Sequence, residues 1–249
     1  ALQILSNHVQ MSYYFAFLIV FIILGYFVEA GREKKFRPFI FASLVTLFSG
    51  LIALGINSSN LYHTYEYGLE TTRGGSELTP LPSADGQKQV EANAKGLDKE
   101  YITAWSYGKA ETFTLLVPNL YGGASEYLGN DPEAIESVPA EFKEIIGGMN
   151  HYWGDQPFTA GPVYVGAFVL FLFVLGVIKV QGPLKWALLG GTIFSIALAW
   201  GHNMMWLSDL FIDHVPLYNK FRTVSSILVV AEFTFPALAV LALVQFVRR

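Results

Sequence analysis

The sequence predicts an all-α membrane protein with about five transmembrane helices and a long loop on the outer side that carries short interfacial helices. Hydrophobic residues make up 53% of the 249 positions and charged residues only 14%, a balance that argues against a soluble chain. About 20 apolar residues in a helix cross a hydrocarbon core of roughly 30 Å. Five apolar runs approach this length, at residues 11–28, 39–56, 163–178, 186–200 and 227–247.

The runs differ in the polar residues that they contain and in the residues at their ends. In the first two, the polar side chains apart from flanking tyrosines are serines and threonines, and the third carries no charged residue. The fourth is short, and we expect Pro183 and Leu184 to extend it, with Trp186 and Trp200 as anchors at the membrane interface. The fifth contains one carboxylate, Glu232.

The basic residues of the short connections all fall on one side of this arrangement. They are Arg32, Lys34, Lys35 and Arg37 between the first two runs, Lys179 and Lys185 between the third and fourth, and Arg248 and Arg249 after the fifth. Because cytoplasmic loops are enriched in lysine and arginine, these connections are predicted to face the cytoplasm. Segments 1–10, 57–162 and 201–226 are then predicted to lie outside it.

The connection at residues 57–162 is too long for a simple turn, and it divides the chain into three regions. Residues 1–56 are an outer N-terminal cap and the first two spans, and residues 163–249 are the last three spans with a short outer segment at 201–226. Within the loop, positions from about 76 to 100 are rich in small, polar and helix-breaking residues, which predicts a mobile insertion. Aromatic stretches beside it suit the membrane interface, and residues 132–146 are predicted to form a short amphipathic helix.

Several classes of function find no support in the sequence. The chain has no cysteine, so it forms neither disulfides nor thiolate metal sites. Its five histidines lack metal-ligand spacing, and it has no phosphate-binding loop, dinucleotide fingerprint, nucleophile elbow or basic stripe for nucleic acid. It begins without an initiator methionine or a signal-peptide pattern, and we expect it to be a piece of a longer protein.

Two basic clusters in the predicted outer segments are candidate phosphate sites. Arg73 precedes two glycines, and its guanidinium fork matches phosphate oxygens that backbone amides can approach at the same time. Lys220 and Arg222 stand two positions apart before the fifth run, where a lipid phosphate of the outer leaflet would lie. The alternatives are a solvated turn at Arg73 and, at the second cluster, cations that contact ordinary phospholipid headgroups.

Two polar stretches at the membrane boundary are candidate sugar-binding segments. His8 and Gln10 precede the first run, where they would either point into an outer cavity and bind a sugar or phosphate, or be hydrated interfacial residues beside a helix cap. Trp153 and Asp155 precede the third run, where an indole can stack on a sugar ring while a carboxylate binds its hydroxyls. A local turn capped by Asp155 is the alternative.

Glu232 is the ionisable side chain within a predicted span. It lies about 9 Å along the helix from Ser226 at a rise of 1.5 Å per residue. An intramembrane carboxylate costs several kcal/mol unless it meets a partner or water, so we expect an interior, paired side chain. Pro236, one turn further on, predicts a kink that opens a cavity, in which Glu232 has either a structural or a catalytic role.

Six strings follow one another along nearly the whole chain: NHVQMSYY at 7–14, YEY at 65–67, TRG at 72–74, WSYGKAE at 105–111, YWGDQP at 152–157 and PLYNKFR at 216–222. Together they resemble the YfhO-like family of bacterial polytopic membrane proteins, in the form found in Bacteroidetes. Only residues 80–94 have no recognisable counterpart. The resemblance implies an internal fragment of a protein related to the GT-C glycosyltransferases, which use polyprenyl-phosphate sugars.

What this family likeness implies is an enzyme of the bacterial inner membrane that transfers a sugar from a polyprenyl-phosphate donor to a cell-envelope acceptor at the outer face. The acceptor would differ from teichoic acid, which such cells lack. The partners implied are the lipid bilayer, the lipid-linked sugar and an envelope glycan. No cofactor and no nucleic acid are indicated.

The resemblance also implies roles for particular residues. These are phosphate binding by Arg73, Lys220 and Arg222, sugar or acceptor binding by His8, Gln10, Trp153, Asp155 and Gln156, and general base catalysis by Glu66 or Glu111. The usual catalytic carboxylate of GT-C enzymes follows their first span, and we expect that span to precede this fragment.

A transporter or flippase of a lipid-linked or envelope substrate is the competing class. Glu232 would then sense protons or ions, and the outer loop would act as a gate. The presence of a charge in only one span argues against transport. A non-catalytic envelope assembly factor with the same fold is the third possibility.

Overall fold

The computed structural model describes residues 1–71, 96–161 and 163–248. All regular secondary structure in this part of the chain is helical, which confirms the all-α prediction. Two isolated β-bridges, between Leu120 and Gly122 and between Tyr127 and Asn150, are the extended pairings found there. Arg73 and most of the predicted mobile insertion lie outside the described residues.

The described residues form eleven α-helices. They are α1 (Leu2–Leu5), α2 (Val9–Glu33), α3 (Phe36–Ile56), α4 (Ser58–Leu69), α5 (Lys99–Thr103), α6 (Pro132–Glu136), α7 (Lys143–Gly147), α8 (Ala167–Lys179), α9 (Pro183–Ala199), α10 (Met205–His214) and α11 (Leu228–Val247). Short 3-10 helices lie at Glu111–Leu115, Leu128–Asn130, Ala140–Phe142, Gly201–Met204, Tyr218–Lys220 and Val224–Ile227.

Within the described residues, three helical segments are long and apolar enough to cross a membrane: α2, α3 and Val224–Val247, which contains α11. Helices α9 and α10 add a fourth if they are one span, although they are bent by 110° at their junction. The predicted five spans are therefore corrected to three or four. The third apolar run forms only the 13 residues of α8, because Gly166, at φ 90°, precedes the helix and the extended Val180 ends it. At 1.5 Å per residue, α8 is about 20 Å long.

The core of the bundle lies between α2, α8, α9 and α11. Between α9 and α11, the hydroxyls of Thr192 and Thr234 form a 2.7 Å hydrogen bond. Between α8 and α11, a Cβ on Gly176 would lie 2.7 Å from the carbonyl oxygen of Leu238, so only glycine allows this approach. Small residues and paired hydroxyls thus bring these helices together, as is common between membrane helices. By contrast, α3 has no buried residue.

One end of the bundle carries the basic connections. There the last turns of α2 meet the start of α9, and a Cβ on Gly25 would lie 3.1 Å from the carbonyl oxygen of Pro183. Lys34, in the left-handed conformation, ends α2 at this point. The basic connections between α2 and α3 and between α8 and α9 therefore share one end, as the sequence predicted.

Segments 1–10, 96–161 and 201–226 meet at the opposite end. The side-chain amide of Gln10 donates to the carbonyl of Arg222 over 2.6 Å. The backbone N–H of Tyr107 donates to the carbonyl of Ala199, at the end of α9, over 2.7 Å. Residues 96–161, called the cap below, therefore cover this end of the bundle.

The cap contains short helices. The prediction of a single amphipathic helix at residues 132–146 is wrong. The structure has α6, a 3-10 helix at Ala140–Phe142 and α7 in its place. Asp131 caps α6 by accepting hydrogen bonds from the backbone N–H groups of Glu133 and Ala134. Pro139 then prevents continuation, because it has no N–H to donate and disfavours helical backbone at the residue before it.

Candidate functional site

The carboxylate of Glu111 is buried within the cap and accepts four hydrogen bonds. Its residue is only 2% exposed, at the start of the 3-10 helix Glu111–Leu115. Oε1 accepts hydrogen bonds from the Tyr152 hydroxyl at 2.7 Å and from the Gln156 side-chain amide at 3.3 Å. Oε2 accepts from the backbone N–H groups of Gly108 at 3.0 Å and Asp155 at 3.4 Å. A buried carboxylate is tolerated when it is hydrogen-bonded in this way, and these four donors occupy both of its oxygens.

Tyr152 joins Glu111 to the next part of the cap. Its hydroxyl donates to Glu111 and accepts from the backbone N–H of Gln156 at 3.0 Å. Burial raises the pKa of Tyr152 far above its ordinary value, and the hydrogen bond to the Glu111 carboxylate raises it further. The phenol therefore remains protonated and keeps its role as a donor.

Gln156 connects Glu111 to the start of α11. Its side-chain carbonyl accepts a 3.1 Å hydrogen bond from the hydroxyl of Ser225, in the 3-10 helix that precedes α11. The backbone N–H of Ser225 donates to the carbonyl of Trp105, also over 3.1 Å. The start of α11 is thereby fixed to the cap from two sides.

Asp155 is the exposed carboxylate beside Glu111. One of its oxygens, Oδ2, accepts a 2.9 Å hydrogen bond from the side-chain amide of Asn203, which also donates to the carbonyl of Tyr107 at 3.1 Å. The tight turn at Gly201 brings Asn203 to this place. A Cβ on Gly201 would lie 1.9 Å from the Ser106 hydroxyl oxygen, and its φ of +45° favours glycine.

Arg222 presents an exposed guanidinium held between two aromatic side chains. Its Nη1 donates to the hydroxyl of Tyr101 at 2.6 Å. The guanidinium carbon lies 5.6 Å from the centre of the Tyr101 ring and 5.9 Å from that of Trp105, within the range of cation–π attraction. The Arg222 carbonyl accepts from Gln10, which also donates to the hydroxyl of Tyr14 at 2.9 Å.

These contacts form one continuous chain, called the polar network below. Its members are Gln10, Tyr101, Trp105, Glu111, Tyr152, Asp155, Gln156, Asn203, Arg222 and Ser225. The structure thus brings together five residues that the sequence singled out, namely Gln10, Glu111, Asp155, Gln156 and Arg222.

Other predicted site residues lie apart from the polar network. Trp153 is 66% exposed, and its ring packs against Tyr121 with centroids 4.6 Å apart. His8 is exposed at the start of α2 and makes no side-chain capping bond. Glu66 is exposed on α4, with a carboxylate oxygen 3.8 Å from Nδ1 of His63. Lys220 ends the 3-10 helix Tyr218–Lys220 and is partly buried.

Glu232 differs from its expected environment. Its side chain is exposed on the surface of α11, and within residues 1–71, 96–161 and 163–248 it makes no hydrogen bond or ion pair. The predicted interior pairing is therefore not found in this part of the chain. The physical reason is helical geometry, because Ala231, Thr234 and Phe235 fill the buried side of this turn.

Half of the polar network escaped the sequence analysis. Tyr101 and Trp105 belong to an aromatic stretch whose pattern indicates the membrane interface in general and not a contact to Arg222. Asn203 and Ser225 offered no signal, because their roles arise from the meeting of distant segments. Tyr152 stood within a recognised string, but nothing local marked its hydroxyl as the partner of Glu111.

The described residues contain no group of three or more histidine, aspartate or glutamate side chains that could hold a metal ion. Comparison of the chain with family models, curated proteins and solved structures gives no match. The geometry of the site offers an exposed guanidinium and an exposed carboxylate, both fixed to one hydrogen-bonded frame at the end of helices that could cross a membrane.

Proposed function

We propose that this chain is part of an integral membrane glycosyltransferase of GT-C-like fold. It transfers a sugar from a polyprenyl-phosphate donor to a cell-envelope acceptor at the outer face of a bacterial inner membrane. The observation that carries the proposal is the Arg222 guanidinium, which is exposed yet held by Tyr101 and Trp105 at the end of the helix bundle.

The setting of Arg222 suits the phosphate of a membrane lipid. A guanidinium binds phosphate oxygens through two parallel N–H groups, and a fixed orientation makes that binding directional. Within the described residues, Nη1 is the atom of the guanidinium that makes a hydrogen bond, which leaves its other N–H groups available to a phosphate. Lys220, two residues earlier, adds a second positive charge to the same segment.

The two carboxylates of the polar network suit different roles. Glu111 is buried and saturated by four donors, which suits a positioning role. Asp155 is exposed and has one oxygen, Oδ1, free of the Asn203 hydrogen bond, so it is the better placed general base. Gln10 then holds the arginine segment, Gln156 holds Glu111, and Trp153 offers an exposed ring for a sugar.

The transfer step is a substitution at the anomeric carbon of the donor. Asp155 takes the proton of the acceptor hydroxyl, and an electron pair of that oxygen forms the new bond to the anomeric carbon. The bond from this carbon to the phosphate oxygen breaks through an oxocarbenium-like state, and the departing polyprenyl phosphate keeps the electron pair. Arg222 stabilises the negative charge that builds on the leaving phosphate.

The location follows from the distribution of charge along the bundle. The basic connections share one end, and the positive-inside rule assigns that end to the cytoplasm. The polar network, at the other end, then faces outward, where a polyprenyl-phosphate sugar is presented.

The proposal is tested with the full-length protein reconstituted in proteoliposomes that contain radiolabelled polyprenyl-phosphate sugars extracted from the host. Label transferred to added envelope glycan is measured. Arg222→Ala should lower transfer by about tenfold or more, because a charge-assisted contact to the leaving phosphate is lost. Arg37→Ala, which removes an exposed arginine from the opposite end, should transfer like the unaltered protein. Absence of transfer by the unaltered protein, or full transfer by Arg222→Ala, would overturn the proposal.

Transport of a lipid-linked or envelope substrate is a second candidate, favoured by two specific features. Helices α9 and α10 are bent by 110° at a break, and Glu232 is a carboxylate on a membrane helix. Interrupted helices and intramembrane charges are typical of transporters. Movement of labelled donor across the same proteoliposomes, lost in Glu232→Gln while sugar transfer is absent throughout, would favour this class.

A further inference from the structure

A cleft on the cap, separate from the polar network, has the character of a ligand site. Its volume is about 350 Å³, within the usual size range for small-molecule pockets. Glu126, Tyr127, Asn130, Asp131 and His151 supply its polar side chains. His151 and Tyr152 are neighbours, so the cleft and the Glu111 site are built on the same short segment.

Close backbone contacts shape the cleft. Gly122, at φ +82°, lies so near the His151 carbonyl that a Cβ would come within 1.8 Å of its oxygen. The backbone N–H of His151 donates to the Glu126 carbonyl at 2.8 Å, and that of Leu128 donates to the Met149 carbonyl at 2.9 Å. The walls are thus held by the backbone, which leaves the side chains available for a ligand.

Most polar groups of the cleft have unused hydrogen-bonding capacity. Within the described residues, the side chains of Glu126, Tyr127 and Asn130 make no hydrogen bond. Asp131 uses Oδ1 to cap α6, while its Oδ2 lies 4.0 Å from Nε2 of His151. Carboxylate acceptors, an amide that both donates and accepts, and an imidazole therefore surround one space.

This combination matches a polyhydroxylated ligand. Sugar hydroxyls both donate and accept, and an aromatic ring packs against the apolar face of a pyranose. Tyr127 lines the cleft and is 63% exposed. Trp153, two residues after His151, is also exposed and packs against Tyr121. A divalent metal is the less suitable occupant, because the described residues hold no group of three metal-ligating side chains.

We infer that the cleft is a saccharide-binding site that holds a neutral segment of an envelope glycan. That the glycan bound there is the acceptor of sugar transfer rests on the proposed transferase function. The binding itself does not depend on it, since the side chains of the cleft are distinct from those of the polar network.

The test measures binding without donor, so that its outcome is independent of transfer. The full-length protein in lipid nanodiscs is titrated with neutral oligosaccharides released from the host envelope, and binding is followed by calorimetry and by saturation-transfer NMR. Glu126→Gln and Tyr127→Ala should each weaken binding by about tenfold, because the first replaces a charged hydrogen-bond acceptor by a neutral one and the second removes an aromatic contact to the sugar. Glu133→Gln, an exposed carboxylate of α6 that does not line the cleft, is the matched control and should bind like the unaltered protein.

Three results would overturn the inference: no oligosaccharide binding by the unaltered protein, full affinity in both cleft variants, or the same loss in Glu133→Gln. Both cleft positions are exposed, and their thermal unfolding is measured alongside to show that the variants are folded. If Arg222→Ala abolishes transfer but leaves oligosaccharide binding unchanged, the two sites are separate as inferred. If the oligosaccharides bind but no sugar is transferred by the unaltered protein, the cleft assignment stands and the transferase proposal fails.

Discussion

The hydroxyl of Tyr152 donates a 2.7 Å hydrogen bond to the carboxylate of Glu111, which lies 41 positions earlier in the chain. This bond joins two segments of the cap that have no regular secondary structure in common. It also supplies one of four donors to a carboxylate that is almost completely buried. This pair therefore connects Tyr152 to the rest of the polar network.

Replacing Tyr152 by phenylalanine should destabilise the cap. The change leaves the Glu111 carboxylate and the Gln156 N–H each short of a partner, and a buried group without its partner costs about 1–3 kcal/mol. The free energy of unfolding of the purified protein is measured in detergent by chemical denaturation. Tyr127→Phe, at an exposed tyrosine of the same cap, is the control. Equal effects of the two changes would show that the Glu111 bond contributes nothing.

Because the pKa of the Tyr152 hydroxyl is raised, we expect the stability of the protein to decrease at alkaline pH. The pKa of this hydroxyl in the folded protein is raised above that of an unfolded chain, about 10, so the folded state holds the proton more tightly. The contribution of Tyr152 is therefore complete below pH about 10 and is lost as the pH rises through the folded pKa. Above pH about 10, the thermal unfolding temperature of the unaltered protein should fall more steeply with pH than that of Tyr152→Phe. Parallel pH profiles would contradict this.

Gly201 should resist substitution by alanine. Its φ of +45° is strained for other residues, and the added Cβ would lie 1.9 Å from the Ser106 hydroxyl oxygen. Strain of this kind costs about 1–3 kcal/mol, and the displaced turn would also move Asn203 away from Asp155. Gly55→Ala, in α3 where a Cβ meets nothing within 4 Å, should leave the thermal unfolding temperature unchanged or raise it. The prediction fails if Gly201→Ala unfolds at the temperature of the unaltered protein.

Glu232 should be dispensable for stability. Glu232 is an exposed carboxylate on an apolar helix and makes no hydrogen bond or ion pair among the described residues, so Glu232→Leu should leave the free energy of unfolding unchanged or raise it. Unfolding in detergent micelles is the measurement, with Val240→Leu on the same helix as the control. A loss of stability in Glu232→Leu would contradict this prediction.

The sequence was sufficient to predict that the protein is all-helical and that its basic connections lie at one end of the helix bundle. Hydrophobic runs and local lysine and arginine residues report directly on membrane helices and their connections, which is why the basic loops fall together. It was not sufficient for the length of α8, which depends on where Gly166 and Val180 turn the chain. It also gave no sign of the exposure of Glu232, since the direction of a helix face is decided by its neighbours.

The residues of the site also fall into those that the sequence could predict and those that it could not. Gln10, Asp155 and Arg222 could be predicted because each stands in a polar stretch at a membrane boundary. The buried state of Glu111 could not, because its four donors come from residues 108, 152, 155 and 156, which only the folded cap brings to one point. For Asn203 and Ser225, the deciding contacts are equally distant in sequence.

The most direct test of the account is the affinity of the full-length protein for polyprenyl phosphate, measured by titration in nanodiscs of zwitterionic lipid. If Arg222 holds the lipid phosphate, Arg222→Ala should weaken this affinity by about tenfold or more, and Arg222→Lys should restore only part of it, because an ammonium lacks the bidentate fork. Arg37→Ala should bind like the unaltered protein. Equal affinity of Arg222→Ala and the unaltered protein would contradict the central claim.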